Sequence, residues 1–198
     1  MIDYKQLLID NDIIVTGSHF IYTSGRHGSS YINKNKIIAD PVICDSLMDG
    51  IASLVADIKV DCIVGPALGG IIFSHLLAKK LTQKHKKLIY SVFAEKEANN
   101  FLIKRNFDKY IINKNVIVVE DIITTGISTK NVVELLKKMG ANVTAVVCIC
   151  NRGNVTNEQV GTPPLFYSLL DLKLQDFLAA NCPLCAKGIE LNKTLGHA

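Results

Sequence analysis

The 198-residue sequence predicts an α/β fold with a parallel sheet flanked by helices, on three observations. Short, continuous apolar runs recur at Val60–Val64, Leu88–Phe93, Val116–Val119 and Val143–Cys150, without the polar alternation of a half-solvated sheet. Segments with helical spacing lie between them. Loops rich in Gly, Thr or charge follow the runs, and in a parallel sheet the carboxyl ends of the strands share one edge, where ligands bind.

The elements follow in order. Tyr4–Ile9 reads as a short helix. In Gly17–Ile38 the β-formers are broken by Ser-Gly and Gly-Ser-Ser turns, which predicts an antiparallel hairpin or small meander. Asp40 caps the next helix, with Pro41 in its first turn and an apolar stripe of Val42, Leu47, Ile51, Leu54 and Val55. The first strand, Val60–Val64, leads through GPALGG into a helix over 71–81. The second strand is followed by a polar stretch, Glu95–Asn115. The third ends in Glu120-Asp121 and the turn TTGIS, then a helix over 132–139 closed by Gly140, then the fourth strand. A single domain is expected over 1–198, its N-terminal β-containing part mainly in 1–40 and a tail in 181–198.

Composition narrows the function. With 48% hydrophobic and 20% charged residues the chain has a core to bury, which excludes disorder over most of its length. The longest run without a formal charge, Cys62–Ala78, is interrupted by Gly65, Pro66, Gly69, Gly70 and His75, so no membrane span is expected. The N-terminal residues carry no basic segment followed by an apolar run, and a cytoplasmic protein is expected. Net charge is only +4, and the densest basic cluster, Lys79–Lys87, reads as a solvated helix end; no nucleic acid is expected as partner. Of the six cysteines, Cys44, Cys62, Cys148 and Cys150 read as reduced core residues. Cys182-Pro-Leu-Cys185 is a lone CxxC. Zinc needs four ligands, so it reads as a structural tail with no metal, unless two tails share an ion across a dimer. His19 and His27 are candidates for ligand contact, and His75 reads as a core histidine.

The chemistry concentrates in VIVVEDIITTGIST, Val116–Thr129. A buried strand delivers two carboxylates, Glu120 and Asp121, to the sheet edge. Thr124, Thr125, Gly126, Ile127 and Ser128 then form a small-residue loop that presents N–H groups and hydroxyls to an anion at a helix N-terminus. Carboxylates beside a phosphate cradle suit a phosphorylated sugar, whose hydroxyls need acceptors and whose phosphate needs donors.

EDIITTGIS closely resembles the phosphoribosyl pyrophosphate (PRPP) signature of the type I phosphoribosyltransferases, which implies that family's fold, with a small N-terminal hood. The resemblance implies that Glu120 and Asp121 hold ribose hydroxyls and that the segment Ile122, Ile123, Thr124, Thr125, Gly126, Ile127 and Ser128 binds the 5-phosphate. It places pyrophosphate at GPALGG, with a non-proline cis peptide near Ala67-Leu68. FIYTSGRHGSSYINK, Phe20–Lys34, resembles the base-binding hood of the orotate-specific branch, FAEKEANNFLIKRNF its strand and mobile loop, and Asn151-Arg-Gly153 a strand end of that branch. Arg26, Arg105 and Arg152, the three Arg among 22 cations, all fall in these segments, where a planar fork suits carboxylate and phosphate.

For the orotate-specific branch the resemblance implies transfer of phosphoribose from PRPP to orotate, with Mg²⁺, in a homodimer whose mobile loop completes the partner's site. Thr124 and Arg152 would contact orotate, Ser24, Gly25, Arg26 and Tyr31 would form its pocket, and Lys96 would bind pyrophosphate. The loop departs from the common pattern, with Glu95 before Lys96 and then Asn99 and Phe101 where relatives carry cations; Lys104 and Arg105 are candidates for the missing charge. The rival readings are a PRPP-binding transcriptional regulator of the same fold, for which the length leaves no DNA-binding domain, and a purine phosphoribosyltransferase, against which the Ser24-Gly-Arg26 hood argues.

Overall fold

The computed structural model describes residues 2–22, 24–98 and 100–195. In chain order the helices and strands are α1 (Tyr4–Asp10), β1 (Ile14–Ile21), β2 (His27–Ile32), α2 (Lys34–Ala39), α3 (Pro41–Leu54), β3 (Cys62–Pro66), α4 (Gly69–His85), β4 (Tyr90–Glu97), β5 (Asn100–Leu102), β6 (Asn115–Ile123), α5 (Ile127–Lys138), β7 (Asn142–Asn151), β8 (Leu165–Asp171), β9 (Asp176–Phe177) and α6 (Pro183–Ala186). They cluster into two compact units, Met1–Ala39 with Lys173–Ala198, and Asp40–Leu172.

The larger unit is built on a six-stranded sheet of order β5-β4-β3-β6-β7-β8. Every neighbouring pair is parallel except β4 with β5, which form an antiparallel hairpin. The four expected core strands are present, but β3, β4 and β6 run further toward the loops than their apolar runs predict, because backbone pairing continues past the end of each run. β5 and β8 are additional: β5 lies in the polar stretch, and β8, on the sheet's edge, is only half-buried.

α5 packs on the face carrying Cys62, Val64, Val116, Val118 and Val146. The alternating residues Ile63, Ile117 and Val119 are equally buried, so both faces are covered. α3 starts as its sequence dictates: the Asp40 carboxylate accepts the N–H groups of Val42 (2.9 Å) and Ile43 (3.1 Å), and Pro41 sits in the first turn. Its stripe is shifted from expectation. Ile43, Leu47, Ile51 and Val55 are buried at i, i+4 spacing, whereas Val42 in the first turn is 77% exposed and Leu54 39%. The basic end of α4 is not merely solvated: Lys80 bridges Asp45 (2.9 Å) and Asp49 (2.6 Å) on α3. Among the described residues, no helix is long and apolar enough to cross a membrane.

The smaller unit is a three-stranded antiparallel sheet, β1-β2-β9, in which the C-terminal segment supplies the third strand. The expected hairpin is present but ends at Ile32; Lys34–Ala39 is helical.

Candidate functional site

The strand order reverses at β3. The chain leaves β3 through α4 to β4 on one side and later returns to β6 on the other. The loops after β3 and β6 therefore diverge at a topological switch point, where a ligand crevice opens at the carboxyl edge of such sheets.

The first loop is the turn Gly65–Gly70. Its Ala67-Leu68 peptide is cis, at the bond where the sequence reading placed it. Gly65 and Gly70 press backbone to backbone: a Cβ on Gly70 would meet the Gly65 carbonyl carbon at 2.8 Å, and one on Gly65 would overlap the Gly70 carbonyl. The Ala67 N–H is pinned to the Ala94 carbonyl on β4 (2.8 Å). α4 begins without a side-chain cap, so its first N–H groups face the turn, and Leu68 is 84% exposed.

The second loop differs from expectation at its start. Glu120 and Asp121 do not follow β6 but lie within it, since pairing with β7 continues to Ile123. Strand alternation puts Glu120 on the face of Val116 and Val118, and Asp121 on that of Ile117 and Val119. Asp121 is buried, its Oδ1 accepting the Ile122 N–H at 2.6 Å, while Glu120 is half-buried. Beyond Ile123, Thr124, Thr125, Ile127 and Ser128 are exposed. Gly126 adopts φ +77° ahead of α5, and a Cβ there would meet the Gln159 carbonyl oxygen at 2.7 Å; no other residue satisfies both constraints. α5 also lacks a side-chain cap.

The strand end Asn151-Arg152-Gly153 lies against this loop. The N–H groups of Arg152 (2.8 Å) and Gly153 (3.2 Å) both donate to the Ile123 carbonyl, and a Cβ on Gly153 would collide with the Thr124 carbonyl. The Asn151 side chain closes the turn on both backbone groups of Val155. Thr124 and Arg152, paired by sequence resemblance, are thus neighbours in the fold.

The polar stretch begins within β4, which pairs antiparallel with β5. Glu97 accepts from Lys104 (3.1 Å) and Glu95 from Arg105 (2.8 Å), whose guanidinium lies 5.6 Å from the Phe93 ring centroid. Phe101, standing where relatives carry charge, is buried against the core and anchors β5. Asn99 is outside the described residues. Lys96 pairs with no carboxylate among the described residues. A cavity of about 360 Å³ brings it together with Ala67, Leu68, Ile71, Phe93, Glu95 and Arg105. Phe93 and Ile71 were no part of the expected site; only adjacency in the fold singles them out.

The hood residues lie in the smaller unit. Ser24 and Gly25 are exposed in the turn between β1 and β2, with Gly25 at φ +73° and the Tyr22 and Arg26 backbones closing it at 2.8 Å. The Arg26 guanidinium binds Asp176 on β9, 2.8 Å from Oδ1, a partner the sequence reading did not include. Half-buried Tyr31 lies beside Phe20, ring centroids 5.5 Å apart.

The remaining candidates sort by burial. His75 is exposed, contrary to the core reading: on α4 the buried positions are Phe73, Ser74, Leu77, Ala78 and Leu81, and His75 falls between them. Burial pushes the Cys62 and Cys150 thiols up to about 12 and raises Cys148 as well, so these remain core thiols rather than nucleophiles. His19 and His27 are buried, within reach of each other and of Cys182 and Cys185.

Residues 30–164 match the family model of the phosphoribosyl transferase domain. The orotate phosphoribosyltransferase of Carboxydothermus hydrogenoformans is 36% identical over 96% of this chain and 95% of its own length. That of Thermotoga maritima is 38% identical over 96% and 95%. The crystal structure of orotate phosphoribosyltransferase from Aeropyrum pernix has the same fold, with a TM-score of 0.68 at 22% identity over 85% of this chain and 93% of that one.

Proposed function

The chain belongs to the orotate phosphoribosyltransferases of the phosphoribosyltransferase family, and from that premise we propose that it transfers phosphoribose from PRPP to orotate, giving orotidine 5′-monophosphate and pyrophosphate in de novo pyrimidine synthesis. The observation that carries the reading is the cavity joining the Ala67-Leu68 turn after β3 to Lys96 and Arg105 beside β4. It offers backbone donors and cations together, which is what a pyrophosphate needs.

In this reading N1 of the orotate anion attacks the anomeric carbon as the bond to pyrophosphate breaks, and the electron pair leaves on the pyrophosphate oxygen. Orotate gives up its N1 proton to solvent before it attacks, so little proton transfer is needed in the displacement itself, and positioning and charge stabilisation lower the barrier. The uncapped start of α5 and the hydroxyls of Thr124, Thr125 and Ser128 hold the 5-phosphate. Glu120 and Asp121 take ribose hydroxyls from opposite sides of the strand end, and their charge favours the oxocarbenium-like ribose. Lys96, engaged with no carboxylate among the described residues, meets the departing pyrophosphate, with Lys104 and Arg105 held in reserve by Glu97 and Glu95. Thr124, Arg152, Ser24, Gly25, Arg26 and Tyr31 recognise orotate.

The residues present fit Mg²⁺. Glu120 and Asp121 are hard oxygen donors, and the absent side chain at Gly69 leaves space against Asp121 Oδ2. They would hold the ion together with substrate oxygens and water. When bound, the ion neutralises charge on the pyrophosphate. We further assign a homodimer and a cytoplasmic location, the latter favoured by the six free thiols.

The test is to mix purified protein with PRPP, Mg²⁺ and orotate and follow loss of orotate absorbance, with hypoxanthine, adenine and uracil in parallel. Turnover of orotate alone is expected. Tight PRPP binding without turnover of any base would overturn the reading in favour of a regulator, and turnover of a purine would overturn the choice of base.

A further inference from the structure

His19, His27, Cys182 and Cys185 lie up to 166 residues apart in the chain, yet one ligand atom from each falls within 4.8 Å of all the others. We propose that these four side chains bind a structural Zn²⁺ that staples the C-terminal tail to the β1–β2 hairpin.

The distances are those of a tetrahedral N₂S₂ site. With Zn–N of about 2.05 Å and Zn–S of about 2.3 Å, the edges of a tetrahedron are about 3.3 Å for N–N and about 3.6 Å for N–S. Here His19 Nε2 and His27 Nδ1 are 2.9 Å apart. Sγ of Cys182 is 3.6 Å and Sγ of Cys185 3.7 Å from His19 Nε2, and Sγ of Cys185 is 3.3 Å from His27 Nδ1. On these four of the six edges, closing around an ion requires shifts of a few tenths of an ångström, and the two remaining edges are no longer than 4.8 Å.

The surroundings orient the ligands. His19 Nδ1 lies 2.8 Å from the Ile189 carbonyl oxygen. A carbonyl only accepts, so Nδ1 carries the proton and Nε2 turns its lone pair toward the other three ligands. That is the outer hydrogen bond by which metal-binding histidines are held. The backbone repeats the tie, since the Asn192 N–H donates to the His19 carbonyl at 2.7 Å. Cys182 caps the short helix α6 and Cys185 lies one turn on, so both sulfurs meet one point.

Charge and burial agree. Two thiolates neutralise a divalent cation, so the loaded centre adds no net charge to a place where His19, His27 and Cys182 are all buried. Cys185 is exposed and gives the ion an entry path. Two sulfurs with two imidazoles select Zn²⁺ over hard cations such as Mg²⁺, which prefer oxygen. All four positions are protein side chains, so no coordination site is left for substrate, and the centre is structural rather than catalytic. His27 opens β2 directly after Arg26, so the ion also fixes the strand that carries that arginine.

The experiment is metal analysis of the full-length protein produced in zinc-replete medium and purified without chelator. About one zinc per chain is expected, with loss of most of it in Cys185→Ser. Because that variant keeps the three buried ligands, its fold can be verified by thermal unfolding. Wild-type protein stripped with chelator and reduced should, on adding Co²⁺, develop the d–d bands of a tetrahedral site and a sulfur-to-cobalt charge-transfer band, both weakened in Cys185→Ser. Chelator should lower the wild-type unfolding midpoint and leave that of Cys185→Ser nearly unmoved. Absence of both zinc and the cobalt spectrum in reduced wild-type protein would overturn the proposal, as would a Cys182–Cys185 disulfide in the freshly isolated chain or full zinc retention in Cys185→Ser.

Discussion

Oδ2 of Asp121 stands 2.7 Å from the point at which a side chain on Gly69 would begin. The carboxylate at the end of β6 and the first residue of α4 thus share one space at the switch point. A methyl group there pushes on the tip of a short side chain rather than on backbone, and alanine is about 1 kcal/mol better than glycine in a helix. Gly69→Ala should therefore fold with an unchanged or raised unfolding midpoint. The displaced carboxylate should raise KM for PRPP on the order of tenfold, about 1.4 kcal/mol. Thermal unfolding and PRPP-dependent kinetics on one preparation separate the two effects, and an unchanged KM would remove Asp121 from the proposed ribose site.

Gly65→Ala should behave in the opposite way. Its Cβ would overlap the Gly70 carbonyl, and backbone on both sides of the turn is held by β3 and α4. Overpacking of this kind costs about 1–3 kcal/mol. Urea denaturation should show a lowered midpoint with an unchanged slope.

Lys96→Ala and Lys104→Ala should differ. Lys104 is engaged with Glu97 in an exposed pair, which contributes little. Lys96 lines the cavity at the Ala67-Leu68 turn without a carboxylate partner among the described residues. Its removal should lower kcat on the order of 10²-fold, the scale of losing one donor to developing negative charge. The Lys104 variant should keep kcat within the same order of magnitude. Equal effects in steady-state assays would refute the assignment of Lys96.

Asp61 links three strand starts: its carboxylate takes Lys87 (2.6 Å) and the Asn115 N–H (3.0 Å), and its backbone pairs with Asn115 and Tyr90. The hydrogen bond from Lys87, then that from Asn115, holds its carboxyl below the usual carboxylate range. A depressed folded-state pKa gives stability that is present above the unfolded value of about 3.9 and lost as pH falls through the lower folded value. Asp61→Asn should cost about 1 kcal/mol at neutral pH. That difference should shrink below about pH 4, where the wild-type carboxyl itself becomes protonated. Chemical denaturation at several pH values measures it.

Much of this protein is readable residue by residue. Continuous apolar runs mark β3, β4, β6 and β7 because strands buried on both faces tolerate few polar residues. The Asp40 cap and the Gly126 turn are local devices, and each stands where its own chemistry puts it. β8, Leu165–Asp171, is apolar in composition, but only the fold shows that it closes the sheet as a half-buried edge beside β7. His75 was misplaced because an apolar helix does not state which of its faces is covered.

The sequence by itself determined the α/β class, the strand-loop-helix of Val116–Thr129 and the family, since these rest on short segments whose meaning is carried by neighbours in the chain. Tertiary structure alone decided which cations are occupied, with Arg26 on Asp176 and Arg105 on Glu95. It alone brought the lone CxxC to two histidines of the N-terminal hairpin. The physical reason is range. Strand propensity, capping and turn chemistry act over a few residues, whereas an ion pair or a tetrahedral ligand set depends on where the sheet lays distant segments side by side.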